Sequence, residues 1–126
     1  MFAKCEVSIF LATTMPEACL EFYTKTMGLD LAEDSEYALV FALKSLELRI
    51  SKVPAFTPHP FTVLDWMVDD LDAAMTLLES KGVTFEIFKG MGQDERGVWQ
   101  VPGGKTKIAW FKDPDGNVLS VSRRAE

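Results

Sequence analysis

Cysteine and histidine are scarce in this chain. Two cysteines, Cys5 and Cys19, and one histidine, His59, occur among 126 residues. The spacing of the two cysteines matches no zinc-binding or redox motif. A disulfide framework is therefore not expected, which suits a reducing compartment, and we see no basic segment followed by an apolar one that would form a signal peptide. These observations predict a cytoplasmic protein.

Long apolar runs and an excess of basic residues are also missing. No apolar run approaches the roughly 20 residues that span a membrane, so no membrane partner is expected. The 13 Lys and Arg against 19 Asp and Glu give a net charge of −6 at pH 7. This balance argues against nucleic-acid binding, because phosphates require clustered Lys and Arg. An acidic surface favours a neutral or cationic small ligand, with the alternative that the charge only keeps the protein in solution.

The main positive feature of the sequence is a pattern that occurs twice. A strand over 4–12, a helix over 15–27 and three short strands up to residue 52 are followed by a strand over 61–68, a helix between Asp70 and Gly82, and strands over 83–88, 105–112 and 118–122. The helix starts Pro16-Glu17-Ala18 and Leu71-Asp72-Ala73 lie 55 residues apart, and three prolines within 53–60 indicate a linker. We therefore predict one α+β domain, with module 1 at about 1–52, a linker at 53–60 and module 2 at about 61–126.

Two short motifs resemble a known family. Phe22-Tyr23 followed by Gly28-Leu29, and the run Asp113-Pro114-Asp115-Gly116-Asn117, are similar to signatures of the vicinal oxygen chelate superfamily. That superfamily includes glyoxalase I, extradiol dioxygenases and bleomycin resistance proteins. The resemblance implies two βαβββ modules whose paired curved sheets enclose a cleft, with the helices on the outer faces (the glyoxalase/bleomycin resistance fold).

The resemblance also implies where a metal would bind. Enzymes of the family hold a divalent ion with His or Gln, Glu, His and Glu, and the matching positions here are Ser8, Glu47, Val63 and Ser120. Only Glu47 is a good ligand for such an ion. A shift of one residue in either direction restores no ligand set. We therefore expect no metal and no other cofactor.

Strand alternation predicts which side chains line the cleft. They are Glu6, Ser8, Phe10, Glu47, Arg49, Val63, Asp65, Met67, Trp99 and Ser120. Glu47 and Asp65 are weak candidates for a catalytic acid–base pair, and the alternative for Glu47 is a structural ion pair with Arg49 or Lys107. Trp99 is a candidate for stacking on an aromatic ligand, whereas Trp110 is the more natural core residue. The glycines within 89–104 predict a mobile segment that could act as a lid.

Three functions remain open at this point. The favoured one is a metal-free binding protein of the bleomycin resistance type, which holds an aromatic or cationic organic ligand, confers antibiotic resistance and forms a homodimer. The second is a metal-dependent lyase, isomerase or thiol transferase of the glyoxalase type, which depends on Glu47. The third is a regulatory module with a vestigial cleft. The sequence thus favours binding over catalysis and does not identify the ligand.

Overall fold

The computed structural model describes residues 1–125. The chain divides into two compact units, Met1–Thr57 and Pro58–Glu126, and the boundary falls inside the proline-rich segment 53–60. Each unit contains one four-stranded mixed sheet with the strand and helix order βαβββ. The predicted α+β class and the predicted pair of βαβββ modules are therefore confirmed.

The first unit is built from one helix and four strands. Its elements are β1 (Val7–Thr13), α1 (Pro16–Glu21), β2 (Asp30–Asp34), β3 (Ala38–Leu43) and β4 (Leu46–Lys52). The sheet order is β1-β4-β3-β2, with β1 parallel to β4 and the other pairs antiparallel. The predicted strand over 4–12 begins later than expected, because Phe2–Lys4 forms a 3₁₀ turn closed by a hydrogen bond from the Cys5 amide to the Phe2 carbonyl.

The predicted helix over 15–27 changes its geometry halfway. After α1 the chain continues as a π-helical turn, Phe22–Thr26, in which the Met27 amide donates to the Phe22 carbonyl. The Thr24 hydroxyl donates to the Leu20 carbonyl at 2.6 Å, a side-chain bond that competes with the regular helical pattern. The turn places Tyr23 on the sheet, where its ring lies 5.7 Å from that of Phe41 and both side chains are fully buried.

The second unit repeats this plan with a longer helix. Its elements are β5 (Thr62–Met67), α2 (Leu71–Ser80), β6 (Trp99–Gln100), β7 (Lys107–Lys112) and β8 (Val118–Arg123), in the sheet order β5-β8-β7-β6. Asp70 caps α2 as predicted, since its carboxylate accepts a hydrogen bond from the Ala73 amide at 3.0 Å. Leu71, Met75 and Leu78 are buried and carry the contact of α2 with the sheet.

The predicted strand over 83–88 was wrong. The hydrogen bond of this segment to β7 runs from the Glu86 amide to the Trp110 carbonyl at 2.8 Å. Two further backbone groups are held by the Gln93 side chain, which accepts from the Phe88 amide at 2.6 Å and donates to the Glu86 carbonyl at 2.9 Å. An amide side chain thus satisfies groups that a neighbouring strand would otherwise pair.

The turn between β7 and β8 follows its sequence signature. The Asp113 carboxylate accepts hydrogen bonds from the amides of Asp115 and Asn117 at 3.0 and 2.9 Å, and from the Asn117 side chain at 2.8 Å. Gly116 supplies the positive φ of 92° that the turn requires. The turn fixes the register in which β8 enters the centre of its sheet.

No helix within residues 1–125 is both long enough and apolar enough to cross a membrane.

Candidate functional site

The face of each sheet that points away from its helix, called the helix-free face, carries the residues that the sequence assigns to ligand binding. In the first unit, Leu48 and Ile50 of β4 are fully buried on the helix side, so the alternating residues Glu47 and Arg49 lie on the other face. In the second unit, Leu119 and Val121 are buried toward α2, which places Ser120 on the helix-free face. The two faces are described separately below.

In the first unit, Ser8 and Glu47 form a hydrogen-bonded pair. They are direct neighbours across the parallel strands β1 and β4, and the Ser8 hydroxyl donates to the Glu47 carboxylate at 2.8 Å. Both side chains are exposed. Within the described part of the first unit, Ser8 rather than Arg49 is therefore the side chain that holds the Glu47 carboxylate.

A cavity of about 630 Å³ opens beside this pair. Its wall combines the polar side chains of Lys4, Glu6, Ser8 and Glu47 with apolar side chains of β3 such as Val40. Small-molecule sites typically measure about 300–1,000 Å³ and place a few polar groups in an apolar lining. Phe10 and Arg49 are also direct neighbours across β1 and β4, two residues further along these strands, and Phe10 is 62% exposed.

In the second unit, the Asp65 carboxylate is the centre of a hydrogen-bond network. It accepts from the hydroxyls of Ser120 at 2.6 Å and Ser122 at 2.7 Å, and from the Arg124 guanidinium at 2.9 Å. Partial burial raises the pKa of Asp65, but the hydrogen bonds from Ser120, Arg124 and Ser122 and the positive charge of Arg124 outweigh it. The pKa of Asp65 therefore lies below its ordinary value of 3.8, and the side chain is a firmly ionised carboxylate.

This ionisation state bears on the possible acid–base role of Asp65. A general base or acid works best with a pKa near the working pH, which for a carboxyl group requires an upward shift. The shift at Asp65 is downward. The network suits electrostatic attraction of a cation better than proton transfer.

An aromatic cluster of Phe88, Trp99 and Trp110 lies on the same sheet. The ring centroids of Trp99 and Trp110 are 6.0 Å apart, and those of Phe88 and Trp110 are 5.8 Å apart. Trp110 is 9% exposed and is the cross-strand neighbour of Ser120, so it belongs to the helix-free face rather than to the core under α2. Its indole N–H donates to the Thr62 hydroxyl at 2.9 Å, which fixes the ring.

The residues at the implied metal positions do not fit a divalent ion. Val63 lies at a register shift in β5 and has no donor atom. The Ser120 hydroxyl already donates to Asp65, and the Ser8 hydroxyl to Glu47. Within residues 1–125, no three His, Cys, Asp or Glu side chains form a group with metal-binding geometry. This donor set lacks the imidazoles and clustered carboxylates that such ions require.

The predicted site residues thus fall into two groups. Those of the first unit are Glu6, Ser8, Phe10, Glu47 and Arg49, and those of the second are Val63, Asp65, Met67, Trp99 and Ser120. Hydrogen bonds join Ser8 to Glu47 and Ser120 to Asp65. Met67 is 72% exposed. Each group contains one carboxylate that is held by a serine hydroxyl.

The segment 89–104, in which the sequence predicts mobility and a possible lid, is tied to its unit by side-chain hydrogen bonds. The Gln93 side chain forms hydrogen bonds with the backbone of Phe88 and Glu86, just before the segment. The Arg96 guanidinium donates to three side chains of α2: to Asp72, to Thr76 at 2.8 Å and to Glu79 at 2.6 Å. The hydrogen bond to Glu79, together with the charges of Glu79 and Asp72, raises the pKa of Arg96. Arg96 therefore ties the segment to the helix, and its guanidinium is already paired.

Sequence reasoning missed Arg124. It lies at the end of the alternating series Ser120, Ser122, Arg124, and its guanidinium bonds to both Asp65 and Ser122. The period-two spacing that placed Ser120 on the helix-free face extends to Arg124 and could have identified it.

Comparisons with known proteins agree with this architecture. A model of the glyoxalase/bleomycin resistance protein/dioxygenase superfamily matches residues 7–121. No curated protein matches the chain significantly in sequence. Among solved structures, TnmS3, an antibiotic binding protein from Streptomyces sp. CB03234, is 26% identical with a TM-score of 0.69, and the match covers 94% of this chain and 93% of that one.

Two further structures resemble the chain in fold alone. Lactoylglutathione lyase from Agrobacterium tumefaciens is 15% identical with a TM-score of 0.72, over 95% of this chain and 93% of that one. A glyoxalase/bleomycin resistance protein/dioxygenase from Nocardioides is 19% identical with a TM-score of 0.71, over 97% and 84%.

Proposed function

Because the chain belongs to the glyoxalase/bleomycin resistance protein/dioxygenase superfamily, we propose that it binds a small organic ligand, aromatic or cationic, without a metal ion. The observation that carries this proposal is the cavity of about 630 Å³ in the first unit, where Glu47 and Ser8 stand in a wall of mixed polar and apolar side chains. Its volume lies within the range that is typical of sites for organic molecules. The two carboxylates in this wall, Glu6 and Glu47, outnumber its one ammonium group, Lys4, and therefore favour a ligand with a positive charge.

The second unit supports the same proposal. Its helix-free face carries an ionised carboxylate, Asp65, and an aromatic cluster that includes Trp99. Indole rings attract planar and cationic groups through their π faces. The solved structure most similar in sequence among those compared above is an antibiotic binding protein, which supports a role in antibiotic binding and hence resistance.

The metal-dependent alternative has less support. It requires a donor set around Glu47, and the side chains at the other three positions are two serines and a valine. Stabilisation of the protein by zinc, nickel, manganese or iron ions that disappears in Glu47→Ala would establish this alternative and overturn the metal-free proposal.

A thermal-shift screen with aromatic cations tests the proposal. We expect at least one compound to raise the midpoint temperature in the presence of a chelator, because ligand binding to the folded state stabilises it by mass action. Glu47→Gln should weaken the response, since the neutral amide keeps the shape but removes the charge. Glu36→Gln, an exposed turn residue in the same unit, is the matched control and should respond like the wild type.

Trp99 is tested in the same screen. Trp99→Ala should lower ligand affinity by about three- to tenfold, the contribution of one aromatic contact. Tyr37→Ala removes an exposed aromatic residue remote in sequence from the cluster and should leave affinity unchanged. Unchanged affinity in Trp99→Ala would remove Trp99 from the site.

We further propose a cytoplasmic homodimer. The edge strands β1 and β5 expose apolar side chains, including Val7 at 54% and Met67 at 72%, and edge strands with such side chains favour association. Within residues 1–125, neither Cys5 nor Cys19 forms a disulfide, which suits a reducing compartment.

A further inference from the structure

We propose that Asp65 is the anchor for a positively charged group on the ligand, and that Arg124 occupies this anchor as an internal substitute until the ligand displaces it. This inference rests on the proposed binding function and adds the ligand's charge, its contact residue and an exchange step. It concerns only the helix-free face of the second unit.

The geometry around Asp65 is that of a cation receptor. The hydroxyls of Ser120 and Ser122, which are 2% and 0% exposed, each donate to a different oxygen of the carboxylate. These two bonds fix the carboxylate plane and leave lone pairs on both oxygens for a further donor. The Asp65 side chain is 18% exposed, so a ligand approaching this face can reach it.

Arg124 fills the remaining position in a way that permits exchange. One guanidinium nitrogen contacts Asp65 at 2.9 Å and Nε donates to the Ser122 hydroxyl at 3.0 Å. The Arg124 side chain is nevertheless 56% exposed. An ion pair with so exposed a partner contributes little, because water and salt screen it and a long side chain is ordered to make it. The serines hold the carboxylate with or without Arg124.

The surroundings of Asp65 indicate which cation fits. Asp65, Ser120 and Trp110 form one row across β5, β8 and β7, so the backbones of Asp65 and Trp110 lie two strand spacings apart, or about 10 Å. The Trp110 ring spans this gap toward β5, because its indole N–H donates to the Thr62 hydroxyl. Phe88 and Trp99 flank Trp110. A planar aromatic cation would contact the half-buried Trp99 of this cluster through its ring and Asp65 through its charge, whereas a small inorganic cation would contact only Asp65.

Two arginine variants decide whether Arg124 competes with the ligand. The probe is proflavine, a planar aromatic cation, and its affinity is measured by fluorescence titration on the full chain in the presence of a chelator. Arg124→Ala should tighten proflavine binding by about two- to fivefold relative to the wild type, because the ligand no longer has to break the ion pair of Arg124 with Asp65, and a partly exposed ion pair corresponds to a factor of this size in an equilibrium constant. Arg123→Ala removes the same charge from the neighbouring residue, whose guanidinium bonds the Arg124 carbonyl rather than Asp65, and should leave the affinity within error.

A variant of the carboxylate completes a double-mutant cycle. Asp65→Asn should weaken proflavine binding about tenfold or more, as expected for loss of a charged hydrogen-bond partner. In the double variant Asp65→Asn with Arg124→Ala, removal of Arg124 should no longer tighten binding. Circular dichroism verifies that each variant is folded, and the two arginine variants alone decide the outcome if Asp65→Asn is not.

A structural readout accompanies the titrations. The Nε–Hε resonance of Arg124 should move toward the position of a free arginine when proflavine binds, because the guanidinium leaves Asp65. The inference is overturned if Arg124→Ala and Arg123→Ala bind proflavine equally, if the Arg124 resonance does not move on binding, or if neither the wild type nor Arg124→Ala binds proflavine.

The two proposals fail in distinguishable ways. If the wild type binds organic compounds in the thermal-shift screen while Arg124 and Asp65 variants keep wild-type affinity for proflavine, only the exchange at Asp65 is wrong. If aromatic anions such as anilinonaphthalene sulfonate bind as well as proflavine, the charge preference is wrong and the binding function stands. If no organic compound binds, the binding function itself is wrong.

Discussion

At the scale of single residues, Glu47 and Asp65 show how the same functional group, a carboxylate, is held in two different environments. Glu47 is exposed and accepts a hydrogen bond from the Ser8 hydroxyl. Asp65 has three partners, two of them buried serines. Glu47 can contact a ligand directly, whereas under our proposal a ligand reaches Asp65 by displacing Arg124.

The stability contributed by Asp65 should depend on pH in a defined direction. A carboxyl group with a lowered pKa in the folded state stabilises the protein above its unfolded pKa of about 3.8, and this contribution is lost as the pH falls through the lower folded value. Asp65→Asn should therefore reduce the free energy of unfolding at pH 7 by about 1–3 kcal/mol. The difference from the wild type should shrink steadily below pH 3.8.

Urea denaturation at neutral and acidic pH measures this effect. Asp69→Asn, an exposed residue just after the same strand, is the control and should change the unfolding free energy little at either pH. A difference for Asp65→Asn that stays constant with pH would show that the carboxylate acts through shape rather than charge.

Single residues also show where prediction from sequence succeeds and where it stops. Alternation along β8 predicted that Ser120 lines the cleft, and the structure pairs Ser120 with Asp65 on the helix-free face. It did not reveal that Arg124 reaches back to Asp65, because a contact between residues 59 positions apart depends on strand pairing, which one strand's pattern does not specify.

At the scale of elements, the 55-residue offset between the two modules is the most informative feature. It correctly places the starts of α1 and α2 at Pro16 and Leu71. The strand over 83–88 could not be assigned correctly, because an extended apolar segment and a strand share the same pattern and the difference lies in the Gln93 side chain.

The anchoring role of Gln93 gives a prediction at this scale. Gln93→Ala should lower the free energy of unfolding by about 1–3 kcal/mol, because it leaves the Phe88 amide and the Glu86 and Gly97 carbonyls without these bonds. Hydrogen exchange at the Phe88 amide should accelerate. Gln100→Ala, which removes one exposed bond to the Gly104 carbonyl, is the matched control, and equal effects of the two variants would contradict the anchoring role.

The turn between β7 and β8 gives a second prediction for an element. Gly116→Ala places a side chain at a φ of 92°, which should cost about 1–2 kcal/mol of stability. Gly104→Ala has ordinary backbone geometry and a nearest contact of 3.8 Å, so it should be nearly neutral. Chemical denaturation compares the two, and a neutral Gly116→Ala would show that the turn relaxes without its glycine.

At the scale of the whole molecule, the proposed dimer can be tested directly. Light scattering of the purified chain should give twice the chain mass of 14.1 kDa. Phe10→Ser on the exposed edge strand β1 should shift the equilibrium toward the monomer, whereas Leu77→Ser, on the exposed side of α2, should not. A monomer at all concentrations would contradict the proposed association.

The sequence and the fold together define the family but not the ligand. Motifs around Phe22-Tyr23 and Asp113–Asn117 lie at turns and helix ends that shape the modules, so they report the fold rather than the chemistry. We propose that the chemistry resides in the side chains of the helix-free faces. Those side chains favour an organic ligand over a metal ion.

Calorimetric titration with an aromatic cation selected in the thermal-shift screen, before and after exhaustive chelation of metals, tests this conclusion most directly. We predict the same affinity in both titrations, and no heat of binding for zinc, nickel or manganese ions at the same protein concentration. Loss of ligand binding after chelation, with recovery on adding one of these ions, would contradict it.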